Sequence, residues 1–198
     1  MDFDQQKKIV LEKLFKPDKS KKGGVDEKLV PLINLINSHN DFYTTSSCSG
    51  RIMLFSDNDS KIKTDASWLF VSHEIITFEQ IEPSLEILPE AITSFKMEGM
   101  ILHIACRTLE TAKQLIIFSQ NNGYKHTGLL SLSKRFIVQI MGVERFDAPI
   151  AKSGSLLVSK EYLKLLIESA NKKLLKTHNK IDFFFENFKK EFFDQFRL

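Results

Sequence analysis

The residues best equipped for chemistry lie in TTSSCSGRI, residues 44–52. Small hydroxyl side chains and open backbone N–H groups suit a phosphate or a carboxylate, and Arg51 can clamp such an anion with two parallel hydrogen bonds. The alternative interpretation is a serine-rich hairpin turn, since serine and glycine are common turn residues. The candidate ligand-binding residues of this segment are Ser46, Ser47, Cys48, Ser49, Gly50 and Arg51.

Cys48 has two interpretations. A nucleophilic cysteine needs a lowered pKa and a nearby base, and the sequence indicates neither. A free cysteine more often acts as a small buried hydrophobic residue. Because Cys48 and Cys106 form no CxxC pair, the sequence predicts neither a metal site nor a disulfide scaffold.

Two histidines are candidates for a functional role. His73 follows the apolar segment WLFVS, and an imidazole at a strand end can act as a general base because its unperturbed pKa is about 6.5. A hydrogen-bonded structural histidine is the alternative. His103 lies inside ILHIAC and precedes Arg107 by four residues. This pair either faces one cleft or bonds to acidic side chains.

A basic loop precedes these segments. In KPDKSKKGG, residues 16–24, four of nine residues are lysine. Flexible lysines beside glycines suit contacts to phosphates, and a solvated loop is the alternative. The lysines are Lys16, Lys19, Lys21 and Lys22.

The elements that position these residues follow from hydrophobic periodicity. Asp26 is predicted to cap a helix over the following apolar residues, and Gly123 to end one over Thr108 to Asn122. Strands on either side of Glu98-Gly99 predict a hairpin-like turn. A helical pattern from Ser159 onward continues to the chain end, with a break expected near Thr177 to Asn179. Other strands are expected at 42–46, 52–55, 66–73, 129–132, 136–141 and 155–158.

These elements predict the α+β class: a mixed β-sheet with flanking helices and a long C-terminal helical segment. Residues 1–198 are expected to form a single domain. The sequence contains no GxGxxG, P-loop, HExxH or GxSxG motif, so several familiar enzyme classes are not expected.

The amino-acid composition excludes few classes of function. The net charge of +3 over 198 residues and the pI of about 8.7 permit nucleic-acid binding without requiring it. The N-terminal MDFDQQKKIV lacks the apolar core of a signal peptide. No run of about 18 apolar residues is present. A cytoplasmic protein with no membrane contact is therefore expected.

The chain resembles the tRNA wybutosine-synthesizing protein 3 family over about residues 5–190. DKSKKGGVDE at 18–27 followed by TTSSCSGR is highly specific as a pair. The other segments occur in the family's order. They are INSHNDFY at 36–43, WLFVSHE at 68–74, FKMEGMILHIACRTLETAKQL at 95–115 and NNGYKHTGLL at 121–130.

The resemblance implies a methyltransferase that uses S-adenosylmethionine and acts on phenylalanine tRNA, with no role for DNA. It also implies an α+β fold that is not the doubly wound methyltransferase fold, which agrees with the missing glycine-rich fingerprint. The expected acceptor is the N4 ring nitrogen of 7-aminocarboxypropyl-demethylwyosine, the base 3′ of the anticodon in wybutosine biosynthesis. His73 is the expected base, with Asp26 as the other choice. Trp68 and Tyr43 are candidates for stacking on the splayed base. The cofactor or substrate contacts are expected from Ser46 to Arg51, His103 and Arg107, and the RNA contacts from Lys19, Lys21 and Lys22.

One segment departs from the family. An Arg-Ser pair usually follows the strand that here ends in Met141-Gly142, and Arg145 is the candidate substitute. Two alternatives therefore stay open. One is a tRNA-binding module of the same fold without catalysis. The other is an oligomeric scaffold that uses the phenylalanine-rich C-terminal helix.

Overall fold

The structure, a computed structural model, describes residues 2–14, 24–57, 67–133 and 135–194. Asp2 caps the first helix by accepting a hydrogen bond from Gln5 N–H at 2.8 Å. Gly123, at φ +91°, follows the end of the fourth α-helix, as predicted. The elements are α1 (Phe3–Leu11), a 3₁₀ turn (Glu27–Leu29), α2 (Val30–Ser38), β1 (Phe42–Cys48), β2 (Arg51–Asp57), β3 (Ser67–Ser72), α3 (Phe78–Ile81), a second 3₁₀ turn (Glu82–Leu85), β4 (Ile92–Glu98), β5 (Ile101–Cys106), α4 (Leu109–Asn121), β6 (Gly128–Ser131), β7 (Phe136–Met141), β8 (Phe146–Lys152), β9 (Ser155–Leu156) and α5 (Lys160–Phe192).

The strands form two sheets. One has four strands in the order β1-β5-β7-β6, and the other has five in the order β3-β2-β4-β8-β9. The α+β class, the flanking helices and the long C-terminal helix are confirmed. The mixed sheet is not, because every pairing among the described strands is antiparallel. No βαβ crossover joins neighbouring strands in the described part of the chain, and such a crossover is what parallel pairing requires.

The chain forms two compact units. The first unit comprises residues 1–49, 100–143 and 178–198, and the second comprises 50–99 and 144–177. The chain therefore passes from one unit to the other four times. That residues 1–198 behave as a single domain stays a prediction.

In the first unit, one face of the four-stranded sheet builds the core. Leu102 and Ile104 of β5 pack with residues of α2, α4 and the end of α5. Phe188 has no exposed surface and its ring lies near those of Phe42, Phe118 and Phe184. Burial of such aromatic rings dominates the energetics of a core.

In the second unit, Ile52, Leu54 and Phe95 pack against the first half of α5. The sequence did not reveal β8, because Pro149 cannot donate to a ladder and argues against a strand. The structure tolerates this proline since β9 pairs only with Ala151 and Lys152 of β8, leaving Pro149 paired on one side alone.

Three structures expected from the sequence are not found: two hairpins and a break in the C-terminal helix. β4 and β5 do not form a hairpin across Glu98-Gly99, because they belong to different sheets. The same holds for β1 and β2, so TTSSCSGRI is not a hairpin turn. α5 has no break near Thr177 and is continuous over 33 residues, about 50 Å at about 1.5 Å per residue.

No helix in the described part of the chain is long and apolar enough to cross a membrane.

Replacing Phe188 by alanine should destabilise the protein by about 3–5 kcal/mol, the usual cost of removing a buried aromatic ring. Phe183 on the same helix is 59% exposed, so Phe183→Ala is the matched control and should cost far less. Denaturant unfolding measures both. Equal losses of stability in the two variants would contradict this assignment of the core.

Cys106 should be inert in the folded protein. It is 2% exposed in the first core, and burial raises the pKa of its thiol to about 12. At pH 8 only about one thiol in ten thousand would then be the reactive thiolate. We expect Cys48→Ser protein, in which Cys106 is the remaining thiol, to react with a thiol reagent only after denaturation. Rapid labelling without denaturant would show that this part of the core opens.

Candidate functional site

Asp26 is a buried carboxylate of the first unit with a defined partner. It is 5% exposed, and its Oδ2 accepts hydrogen bonds from the backbone N–H and the hydroxyl of Ser49 at 2.7 and 3.0 Å. A buried charge is tolerated only when such bonds replace water. The prediction that Asp26 caps the next helix was wrong, since its side chain makes no capping bond to the 3₁₀ turn. It holds the end of the serine-rich segment instead.

Gly50 and His73 form a second arrangement, in the second unit. Gly50 has φ +102°, and a Cβ there would lie 3.0 Å from the Glu98 carbonyl oxygen, so only glycine fits. The Gly50 carbonyl oxygen is 2.9 Å from His73 Nδ1. Because a carbonyl only accepts, Nδ1 carries a proton in this hydrogen bond. The ring nitrogen at which His73 could act as a base is therefore Nε2.

Arg51, at the start of β2, already has an anionic partner. Its Nε and Nη2 both lie 2.7 Å from Glu98 Oε2, and the guanidinium carbon is 4.6 Å from the centre of the Trp68 ring. A guanidinium has five N–H donors, so this pairing does not exhaust it. Glu98 was not predicted as part of the site. Its only signal is the cross-strand position opposite Arg51, which a sequence does not reveal.

Ser46 and Ser47 belong to β1 of the four-stranded sheet, and Ser49 follows the end of that strand. Ser46 lies opposite His103 on β5, and alternation along a strand places Cys48 on the same face as Ser46 and Ser47 on the other. His103 Nε2 is 3.2 Å from the side-chain oxygen of Gln139 on β7. The structure therefore brings Ser46 and His103 together on neighbouring strands, and it adds Gln139, which was not predicted.

Arg107 bonds to acidic side chains, which was the second of its two interpretations. Its guanidinium bonds to both carboxylate oxygens of Asp4 at 2.6 and 3.0 Å and to Asp41 at 2.8 Å, and it lies over the Phe3 ring. The hydrogen bonds with Asp4 raise the pKa of Arg107 and lower the pKa of Asp4. These contacts hold α1 on the first unit. That Arg107 binds a ligand stays a prediction.

The two aromatic residues expected to stack on a base have different surroundings. Tyr43 is fully buried beside Phe3 of α1, so that expectation was wrong for Tyr43. Trp68 is half-buried on β3. The serine-rich segment had given no indication of the Arg51 contact to Trp68, because the two residues are distant in sequence.

The remaining candidates are distributed as follows. Lys16, Lys19, Lys21 and Lys22 lie outside the described residues. Met141 ends β7, and Gly142 N–H donates to the Met100 carbonyl oxygen at 2.8 Å. Arg145, the candidate substitute for the family arginine, is exposed in the second unit.

Comparison with known proteins identifies the family. The family described as Methyltransferase TYW3 matches residues 5–190. A tRNA(Phe) 7-((3-amino-3-carboxypropyl)-4-demethylwyosine(37)-N(4))-methyltransferase from Thermococcus sibiricus is 36% identical over 181 residues, 91% of each chain. A tRNA wybutosine-synthesizing protein 3 homolog from Xenopus laevis is 34% identical over 84% of this chain and 67% of its own.

Solved structures agree with the fold. The PH1069 protein from Pyrococcus horikoshii superposes with a TM-score of 0.84 at 30% identity, covering 94% of this chain and 96% of that one. The sequence match, the shared fold and the arrangement of the motif residues lead to one conclusion. The chain belongs to the Methyltransferase TYW3 family.

Proposed function

We propose that this protein transfers a methyl group from S-adenosylmethionine to N4 of 7-aminocarboxypropyl-demethylwyosine, the base 3′ of the anticodon in phenylalanine tRNA. The observation that carries the proposal is the 36% identity, over 91% of each chain, to the Thermococcus sibiricus enzyme whose name states this reaction. The family also accounts for the absent glycine-rich fingerprint, since its fold is not doubly wound.

The donor set of the motif residues fits the cofactor chemically. S-adenosylmethionine carries a carboxylate and an ammonium, and supplies an electrophilic methyl group when bound. Ser46 offers an exposed hydroxyl beside the His103 ring, and Arg51 offers guanidinium N–H groups. A hydroxyl or a guanidinium can each donate to a carboxylate. In the first unit we assign cofactor or substrate binding to Ser46, Ser47, Cys48, Ser49 and His103, and in the second unit to Gly50 and Arg51. Arg107 is better suited to holding α1.

The acceptor nitrogen must lose a proton as its bond to carbon forms, and His73 is the group we assign to that step. Its Nδ1–H is held by the Gly50 carbonyl oxygen, so the proton is taken up at Nε2. Asp26 is the less suitable base, because its Oδ2 already accepts two hydrogen bonds from Ser49. We therefore assign Asp26 to holding Ser49 in place.

A non-catalytic tRNA-binding module is the second candidate. Met141-Gly142 stands where the family usually has Arg-Ser, and this favours it. The two functions differ in one measurement, transfer of labelled methyl from S-adenosylmethionine to precursor tRNA. Tight tRNA binding without transfer would select the binding module.

In that transfer assay, His73→Gln should lower the rate by about 10²- to 10⁴-fold, the usual contribution of a positioned base. Arg51→Lys keeps the charge but loses the planar fork, and should weaken ligand binding by about 10- to 150-fold. His126→Gln and Arg135→Lys change exposed residues of the same types and serve as controls. Full activity of His73→Gln would remove His73 from the mechanism, and full activity of Arg51→Lys would remove the anion-binding role.

We also propose that Lys19, Lys21 and Lys22 contact the RNA backbone, on the strength of the basic family motif alone. Replacing all three by alanine should weaken tRNA binding. It should also flatten the plot of log affinity against log salt by about 0.7–0.9 for each phosphate that is no longer neutralised. Triple replacement of the exposed Lys152, Lys164 and Lys172 controls for the change in net charge. The same slope in both triple variants would mean that Lys19, Lys21 and Lys22 make no specific contact.

A further inference from the structure

One face of the five-stranded sheet carries an aromatic pair outside the core. Ile52 and Leu54 of β2 point into the second core, so alternation places Arg51, Met53 and Phe55 on the opposite, outer face. Phe55 lies opposite Trp68 on β3. Their ring centres are 5.4 Å apart at an interplanar angle of 78°. Both side chains are half-buried and retain accessible surface.

A cation accompanies each ring. Arg51 lies 4.6 Å from the centre of the Trp68 ring and the Lys96 ammonium lies 5.2 Å from that of Phe55. Each cation is also held by a carboxylate: Arg51 by Glu98 at 2.7 Å and Lys96 by Asp147 at 2.6 Å. These ion pairs hold the direction of two long side chains that would otherwise move freely.

We propose that Arg51, Trp68, Phe55 and Lys96 form a stacking platform for unpaired RNA bases. The platform binds the loop nucleotides next to the base that is modified, and this extension rests on the proposed function. Aromatic rings and guanidinium planes are the surfaces on which proteins stack splayed bases. Because Glu98 and Asp147 offset the charges of Arg51 and Lys96, stacking and not net charge supplies the affinity of the platform.

A purely structural role is the competing explanation. Met53 lies between Arg51 and Phe55 along β2 and is 2% exposed, so the four side chains could serve only to cover it. Coverage of one methionine, however, does not require two cations placed against two rings. The two explanations differ in what bound RNA does to Trp68. RNA changes the surroundings of Trp68 if the four side chains form a platform, and leaves them unchanged if the side chains only cover Met53.

The chain contains a single tryptophan, so its intrinsic fluorescence reports on the platform in the unmodified protein. The probe is a hairpin RNA with the anticodon-loop sequence of phenylalanine tRNA, and the comparison is a blunt duplex of the same stem. Binding of each RNA is measured separately by filter retention. We expect the hairpin to quench tryptophan emission and the duplex, which exposes no unpaired base, to leave it unchanged.

Two variants test the contribution to affinity. Trp68→Leu and Phe55→Leu keep an apolar side chain but lose the stacking surface, and each should weaken hairpin binding by about 5- to 150-fold. Tyr162→Leu, which removes a 44% exposed aromatic ring from the second unit, is the matched control and should bind as the wild type does.

The outcomes separate the platform from the catalytic function. Bound hairpin with unchanged emission, or wild-type affinity in Trp68→Leu, overturns the platform even if methyl transfer proceeds. If the hairpin quenches tryptophan emission but precursor tRNA receives no methyl group, the platform is supported and the enzyme assignment is overturned. Failure of the wild type to bind the hairpin also overturns the platform, and the transfer assay on whole tRNA then decides the function independently.

Discussion

The structure depends on one continuous amphipathic helix. α5 contributes Leu163, Ala170 and Leu174 to the core of the second unit and Phe184 and Phe188 to that of the first. α5 covers part of the inner face of each sheet, together with α2 and α4 in the first unit, because a sheet face needs a packed layer to exclude water. A break in α5 would therefore affect both cores. The three-to-four spacing of its apolar residues is maintained over 33 residues for this reason.

The serine-rich motif spans one of the four points at which the chain passes between the units, since the boundary falls between Ser49 and Gly50. Ser49 closes the first segment through its bonds to Asp26, and Gly50 opens the next in a backbone conformation that excludes a side chain. Ser49 and Gly50 of the motif thus have structural roles. The Ser49 backbone N–H and hydroxyl bond Asp26, and the Gly50 carbonyl oxygen bonds His73.

Polar groups of the assigned residues have specific protein partners within each unit. In the second unit the Gly50 carbonyl oxygen bonds His73 and Glu98 orients Arg51, and in the first unit Gln139 bonds the ring of His103. Orienting donors and acceptors before the ligand arrives lowers the entropy that binding must overcome. This arrangement suits an enzyme in which the cofactor provides the reactive group and the protein provides orientation.

The sequence by itself determined the α+β class, the extent of most strands and the presence of a long C-terminal helix, because these follow from local periodicity. It also identified the family through specific motifs. Only the tertiary structure decided which strands pair. Glu98-Gly99 has the residues of a hairpin turn, yet β4 and β5 enter different sheets, since pairing depends on residues far apart along the chain. For the same reason the sequence left open whether Arg107 binds acidic side chains or a ligand, and it treated the buried Tyr43 as a stacking candidate like Trp68. It also gave no indication that Glu98 would adjoin Arg51, or Gln139 His103.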